Sequence, residues 1–442
     1  MVTFNQVLPA AVRICEDTPG MVELEACCAV RDLRGRIRLV LKPSANPTIP
    51  VDMKALAASL KSELGAYFVE PIWSTAAAKP NEARFASEVF KHAQRWGDAA
   101  YEGSGEGQRS VLARAPWWKY ERRLSRQEWL EPAKPTTPLW ELGNGPGIVT
   151  FYSFKGGVGR TTALIACAWQ LARAGKHVAI VDLDLEAPGL GAILGAETER
   201  GVVDFLVDCL ATGSSDLTGL ITSATALGTD GDFVRVVPAG TLNQLYLEKL
   251  GRLDFLGGQD GVDGSPIEQA LRKLLSALTK LTPRPDYILI DSRAGLHDLA
   301  GLSLHRLAHV DVLVSRATEE GYRGLNLTVG TLAKRKGLAQ LQCIMVHTLA
   351  PTEGLREAIA EEEEFLERSY QAFQSYVYLN EQSRTTTRDD PMAPHRPLVV
   401  RRDGRFDRFA SIRSIESSFF ETGFSRLRSH IEELCKIDGA AE

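Results

Sequence analysis

The chain has 442 residues, 44% hydrophobic and 24% charged, which is enough apolar content to bury large cores in two or three domains. A net charge of −5 argues against a protein that coats nucleic acid over its whole surface. No apolar run approaches the roughly 20 residues of a membrane span, the N-terminus has no signal-peptide pattern, and of the seven scattered cysteines only Cys27 and Cys28 are adjacent; a reduced, cytoplasmic protein without a zinc site is expected.

Residues 1–131 read as an α+β accessory module that senses or recruits something. Val22–Val30 and Ile37–Lys42 have strand character around the charged turn Arg31–Arg36, Met53–Leu64 carries a helical pattern, and Tyr67–Trp73 reads as a third strand. No catalytic constellation stands out here. The segment Arg114–Arg126 interleaves Trp117, Trp118 and Tyr120 with cations. Aromatic faces beside cations suit single-stranded nucleic acid. The same residue types pack protein interfaces, and the favoured expectation is that the tryptophans pack the module against the next domain while the arginines form solvated ion pairs.

Pro132, Pro135, Pro138, Gly143, Gly145 and Pro146 make residues 132–146 a linker. Beyond it, the apolar run Ile148–Tyr152 leads into Phe154-Lys155-Gly156-Gly157-Val158-Gly159-Arg160-Thr161-Thr162, and a helical pattern occupies Thr161–Ala174. A glycine loop between a buried strand and a helix N-terminus suits phosphate. Without Cβ atoms, Gly156, Gly157 and Gly159 let the backbone turn tightly and aim successive N–H groups at one anion. The candidate nucleotide-binding set is therefore Gly156, Gly157, Val158, Gly159, Arg160, Thr161 and Thr162. Arg160 would supply a cation toward the β- and γ-phosphates, and Thr161 an oxygen for Mg²⁺.

After Gly175-Lys176, His177–Val181 reads as a short buried strand ending in Asp182-Leu183-Asp184. Pro285–Ile290 reads as a central parallel strand ending in Asp291. Acids at the C-terminal ends of parallel strands face the ligand crevice, so Thr161, Asp182 and Asp291 are the candidate metal-binding residues; the plain alternative is that the acids merely end their strands and cap the next segment. In the next loop, Arg293 either senses a γ-phosphate or pairs with a nearby carboxylate. Phe233–Val237, Val310–Ser315 and Gln342–His347 add strands that alternate with helical segments Ile267–Thr279 and Gly324–Lys336, the order of an α/β sheet.

The string Lys155-Gly156-Gly157-Val158-Gly159-Arg160, followed by Asp182-x-Asp184 and Asp291, resembles the deviant Walker A loop of the ParA/MinD ATPases and, within them, the KGGVGR subgroup. The resemblance covers residues 147–437 and implies an α/β P-loop NTPase of the SIMIBI type: a mostly parallel sheet flanked by helices, here preceded by the small α+β domain. It implies ATP and Mg²⁺ as cofactors, ATP hydrolysis, and catalytic roles for Lys155, Asp184 and Arg160. Asp184 would orient the attacking water, and Lys155 would reach across an ATP-dependent homodimer to the opposing phosphates. Arginine in place of the usual lysine at 160 keeps the charge on a larger planar fork, so phosphate binding is expected and the turnover rate stays open. The segment His347–Pro351 lacks the asparagine pattern of MinD, so adenine over guanine rests on the resemblance alone. A switch that controls an unidentified protein partner, in a bacterial regulatory or defence setting, is the implied role.

Two rivals share these motifs. One is a partitioning-type ATPase tethered to nucleic acid, and the other is a bacterial-type tyrosine kinase, which ends in a tyrosine cluster where this chain has no tyrosine after Tyr378. Leu355–Phe373, with Glu361–Glu364, reads as a helix with a solvated acidic face. Leu398–Val400 reads as a last strand before Arg401–Arg408, whose mixed charges are expected to pair with one another. Ile412–Ile437 reads as one amphipathic helix; MinD proteins end in a membrane-targeting helix, but this one has few basic residues and several acids, so it is expected to close the domain.

Overall fold

The computed structural model describes residues 2–95, 117–122, 127–130, 138–253, 265–336, 341–354, 356–378 and 386–436. The chain divides into two compact units, Met1–Leu124 and Ser125–Glu442.

The first unit runs α1 (Phe4–Glu16), β1 (Leu24–Arg31), β2 (Ile37–Pro43), α2 (Met53–Leu64), β3 (Trp73–Ser74), α3 (Pro80–His92), β4 (Gln94–Arg95) and β5 (Trp117–Glu121). Its sheet has the order β3-β2-β1-β5-β4, with β1 antiparallel to β2 and parallel to β5. Helix α2 starts where the Asp52 carboxylate accepts the Lys54 and Ala55 N–H groups, an N-cap that satisfies two otherwise orphaned donors. The expected strand Tyr67–Trp73 is a correction: Gly65–Tyr67 forms a 3₁₀ turn, Phe68 makes only an isolated bridge to Ile37, and the paired strand is Trp73–Ser74. Pro71 has no N–H to give a ladder, so the pairing begun at Phe68 and Val69 lapses before Trp73.

The tryptophans also behave differently from the expectation. Trp117 is 1% exposed inside the unit's own core, with Val12, Leu39 and Leu60 among its members, and the Trp118 ring meets Phe90 edge-on at 6.5 Å. Trp117 is therefore neither a stacking platform for bases nor an interface residue. Residues 114–116 and 123–126 of that patch lie outside the described residues.

The second unit runs α4 (Gln127–Leu130), β6 (Gly147–Tyr152), α5 (Arg160–Arg173), β7 (Val178–Asp182), α6 (Leu190–Leu194), α7 (Val202–Thr212), β8 (Thr222–Ser223), β9 (Val234–Val237), α8 (Gln244–Leu253), α9 (Pro266–Leu278), β10 (Tyr287–Asp291), α10 (Asp298–Leu302), β11 (Val310–Ser315), α11 (Glu319–Lys336), β12 (Cys343–Ala350), α12 (Arg356–Tyr376), β13 (Leu398–Arg401), α13 (Glu416–Phe419) and α14 (Thr422–Leu434). Eight strands form one sheet in the order β13-β12-β11-β6-β10-β7-β9-β8, parallel except for the pairing of β8 with β9.

The central strands are apolar on both faces because helices cover both. Successive side chains of β6 point to opposite sides. Val149 and Phe151 join a core with Leu164 and Trp169 of α5 and Leu427 of α14, while Ile148 joins another with Leu206 of α7 and Leu274 of α9. The C-terminal segment is a second correction: Ile412–Ile415 is a 3₁₀ turn, and the single expected helix is broken into α13 and α14. Phe419, Phe424, Leu427 and Ile431 are all buried in the first of those cores. The charges after β13 pair within the protein, Arg401 with Glu362, Arg402 with Asp407 and Arg405 with Asp403. Among the described residues no helix is long and apolar enough to cross a membrane.

Candidate functional site

The loop Phe154–Gly159 leaves the C-terminal end of β6, the centre of the sheet, and enters α5. Gly157 (φ +71°) and Gly159 (φ +84°) lie in the left-handed region that favours glycine, which is what the tight turn requires. Gly156 has an ordinary φ, and a Cβ on any of the three would meet no protein atom within 4 Å. The loop is an open cradle. Val158 is buried, and its carbonyl accepts from Thr348 Oγ1 at 2.6 Å, so the end of β12 braces the loop from behind. Lys155 is exposed and, among the described residues, makes no ion pair.

Beside this cradle β7 and β10 run in a register that sets Asp182 opposite Asp291. Arg160 Nε donates to Asp291 Oδ1 at 2.6 Å, and its Nη2 donates to Asp184 Oδ2 at 2.7 Å. Thr161 Oγ1 donates to Asp291 Oδ2 at 2.7 Å. One planar fork thus binds two carboxylates on different strand ends, which a lysine point charge does not do in the same way. Burial pulls the Arg160 guanidinium down, and Asp291 and Asp184 more than restore it, so it is fixed as a cation. Burial pushes the Asp291 carboxyl up against the opposing pull of Arg160 and Thr161. Asp182 is pushed well up, first by burial and then by the charge of Asp291; its Oδ1 accepts the Asp184 N–H, while its buried Oδ2 has no hydrogen-bond partner. Thr162 is half-buried in the first turn of α5.

Among the described residues no group of three His, Cys, Asp or Glu side chains could hold a metal unaided. The donors present still fit Mg²⁺: the Thr161 hydroxyl and two strand-end carboxylates, one of them with the unpartnered buried Oδ2 of Asp182, are hard ligands, and Mg²⁺ in such sites completes its shell with water and phosphate. Asp184 and Asp291 share one buried guanidinium and Asp182 has no cation on its carboxylate, which leaves the cluster short of positive charge.

The loops around the cradle are tied together. Arg293 donates to Glu186, so of its two sequence readings the structure shows the carboxylate pairing. Gly295 (φ +77°) gives its N–H to the Ser153 carbonyl at 3.1 Å, and its own carbonyl accepts from Tyr152 Oη at 3.3 Å. Tyr246 Oη donates to the Leu185 carbonyl at 2.6 Å. Thr348, Glu186, Tyr152 and Tyr246 carry no sequence signal for this role, because each acts through a contact that only the fold creates.

Residues 146–209 match the ParA family, described as NUBPL iron-transfer P-loop NTPase. The chain is 28% identical over 211 residues to the septum site-determining protein MinD of Helicobacter pylori, a stretch covering 46% of this chain and 67% of that protein. Residues 146–209 are thus similar to P-loop NTPases of the ParA/MinD type. It is also 26% identical over 200 residues to the antiactivator FleN of Pseudomonas aeruginosa, covering 45% of this chain and 61% of that protein. Among solved structures, MinD of Pyrococcus horikoshii complexed with Mg-ADP is 19% identical, with a TM-score of 0.40 over 66% of this chain and 98% of that one. The matched residues 146–209 of the ParA/MinD-type domain take in the loop, Arg160, Thr161, Asp182 and Asp184, with Asp291 further along the chain.

Proposed function

We propose that the ParA/MinD-type domain is a Mg²⁺-dependent ATPase that works as a molecular switch. The observation that carries this reading is the bond from Thr161 Oγ1 to Asp291 Oδ2 beside the Arg160 guanidinium, at the mouth of an open glycine loop. The loop amides and the α5 N-terminus favour an anion. Thr161 would hold Mg²⁺ directly, with Asp291 and Asp182 gripping its water shell, and the bound ion would draw charge from the phosphate oxygens. Arg160 turns one arm from a carboxylate to the γ-phosphate, which frees Asp184 to orient water toward it. The adenine preference follows the relatives rather than any residue of this chain.

Lys155, exposed and unpaired at the rim, is available to a second copy facing the same cleft, so an ATP-dependent homodimer is the proposed active form. The two states of that dimer would be read by a protein partner. Burial of Trp117 and the pairing of Arg401, Arg402 and Arg405 remove support from those side chains for the nucleic-acid-tethered alternative, which fits the same relatives and predicts salt-sensitive DNA retention of the ATP-loaded protein. The test is the light-scattering mass of Asp184→Ala protein with Mg²⁺-ATP against Mg²⁺-ADP, and again with Lys155→Ala added. A doubled mass with ATP alone that is lost with Lys155→Ala is the expected result. A mass indifferent to nucleotide would overturn the dimer, and no binding of either nucleotide in a parallel titration would overturn the ATPase reading itself.

A further inference from the structure

The loop that comes after Asp291 is held by a side chain from outside the nucleotide-binding sheet. Trp129, on the short helix α4 at the start of the second unit, donates Nε1–H to the His297 carbonyl at 2.8 Å. Its ring packs on Tyr152 at a centroid distance of 5.9 Å and meets His305 edge-on at 5.2 Å. His297 is the N-cap of α10, and the same carbonyl also accepts the Gly301 N–H of that helix at 3.0 Å. Tyr152, the side chain under the Trp129 ring, bonds the Gly295 carbonyl two residues upstream.

At the loop's far end this aromatic pair thus bonds both Gly295 and His297, beside the Gly295 N–H to Ser153 and the pairing of His297 with Glu186. Between them and Asp291 stands Arg293, whose guanidinium reaches across to Glu186 in the loop after Asp182. Nothing in phosphate binding itself calls for an indole here. A phenylalanine would keep an aromatic ring here although a smaller one, so the polar contribution that only tryptophan makes is the N–H.

We propose that Trp129 is a positioning residue for the loop Asp291–His297: its indole N–H fixes the His297 carbonyl and so sets where Arg293 and Asp291 stand relative to the cradle. The inference rests on the nucleotide-binding reading above.

The test compares Trp129→Phe, which keeps an aromatic ring without the N–H, with Trp129→Ala, which removes the ring, in the full chain. Hydrogen exchange of peptides covering residues 292–299 is measured without added ligand, with strands β6 and β10 as internal controls. Fluorescent ATP and ADP analogues are then titrated with Mg²⁺. Trp129→Phe is expected to speed exchange of 292–299 with the strands unchanged, and to weaken ATP-analogue binding about two- to tenfold with the ADP analogue nearly unaffected, the span one lost hydrogen bond gives. If Trp129→Phe matches the parent in both readouts, the positioning role is overturned, and a change confined to Trp129→Ala would reduce the residue to packing and overturn it equally. Should the parent itself bind neither analogue, the nucleotide reading has failed, and the exchange arm alone still decides whether the indole holds the loop.

Discussion

Asp182 shows what a single residue concedes to function. Its carboxylate is buried beside Asp291 with Oδ2 unpartnered, and burial together with that neighbouring charge pushes its pKa well up. A folded-state pKa above the unfolded value means that the folded protein holds the proton longer, so stability is lost as pH rises through the unfolded pKa near 4 toward the folded one. Asp182→Asn removes the charge at little change of volume. It is expected to raise unfolding stability at pH 7 by about 1–3 kcal/mol, with the gain shrinking toward pH 4, while Mg²⁺-dependent nucleotide binding collapses. Urea unfolding at the two pH values and a nucleotide titration measure both halves, and a variant less stable than the parent at pH 7 would contradict the argument. The candidate site was legible as residue types at strand ends: Lys155, Thr161, Asp182, Asp184 and Asp291 could all be named. The Arg160 bridge was not, because its two bonds span 24 and 131 residues and exist only once β7 and β10 are in register.

At the scale of elements, the legible parts are those whose burial is one-sided or total. The strand β11 at Val310–Ser315 and helix α2 at Met53–Leu64 coincide with the expected segments because a fully buried run and a well-capped apolar stripe leave little choice. Helix α1 goes unsignalled: Pro9 sits inside it, and Thr3 opens it with a capping box that involves Gln6. Contacts between elements are less visible still. A Cβ at Gly324 of α11 would stand 2.1 Å from Phe154 Cγ, so α11 presses directly on the residue that opens the nucleotide loop. Gly324→Ala must move the loop or the helix, with an expected cost of about 1–3 kcal/mol. Nucleotide affinity should fall several-fold although no phosphate-facing residue has changed. Isothermal titration against the parent checks this, and unchanged affinity would show that the helix yields rather than the loop.

For the whole molecule, the two compact units each have their own core, and the boundary at Leu124 and Ser125 leaves Trp129 with the second. A fragment of residues 125–442 is expected to bind Mg²⁺-ATP as the full chain does, while one starting at residue 138 lacks the indole that holds His297 and should bind more weakly. Equal affinities for the two fragments would remove α4 from the nucleotide site.

The sheets themselves carry a further consequence. Among the described residues their outermost strands are very short: β3, β4 and β8 have two residues each and β13 has four, and a Cβ on Gly423 of α14 would come within 2.6 Å of the Val399 carbonyl of β13. A sheet with blunted margins offers almost no run of free amide and carbonyl groups for a neighbouring chain to zip onto. Copies of such a protein are expected to meet through loops and helices rather than by adding strand to strand.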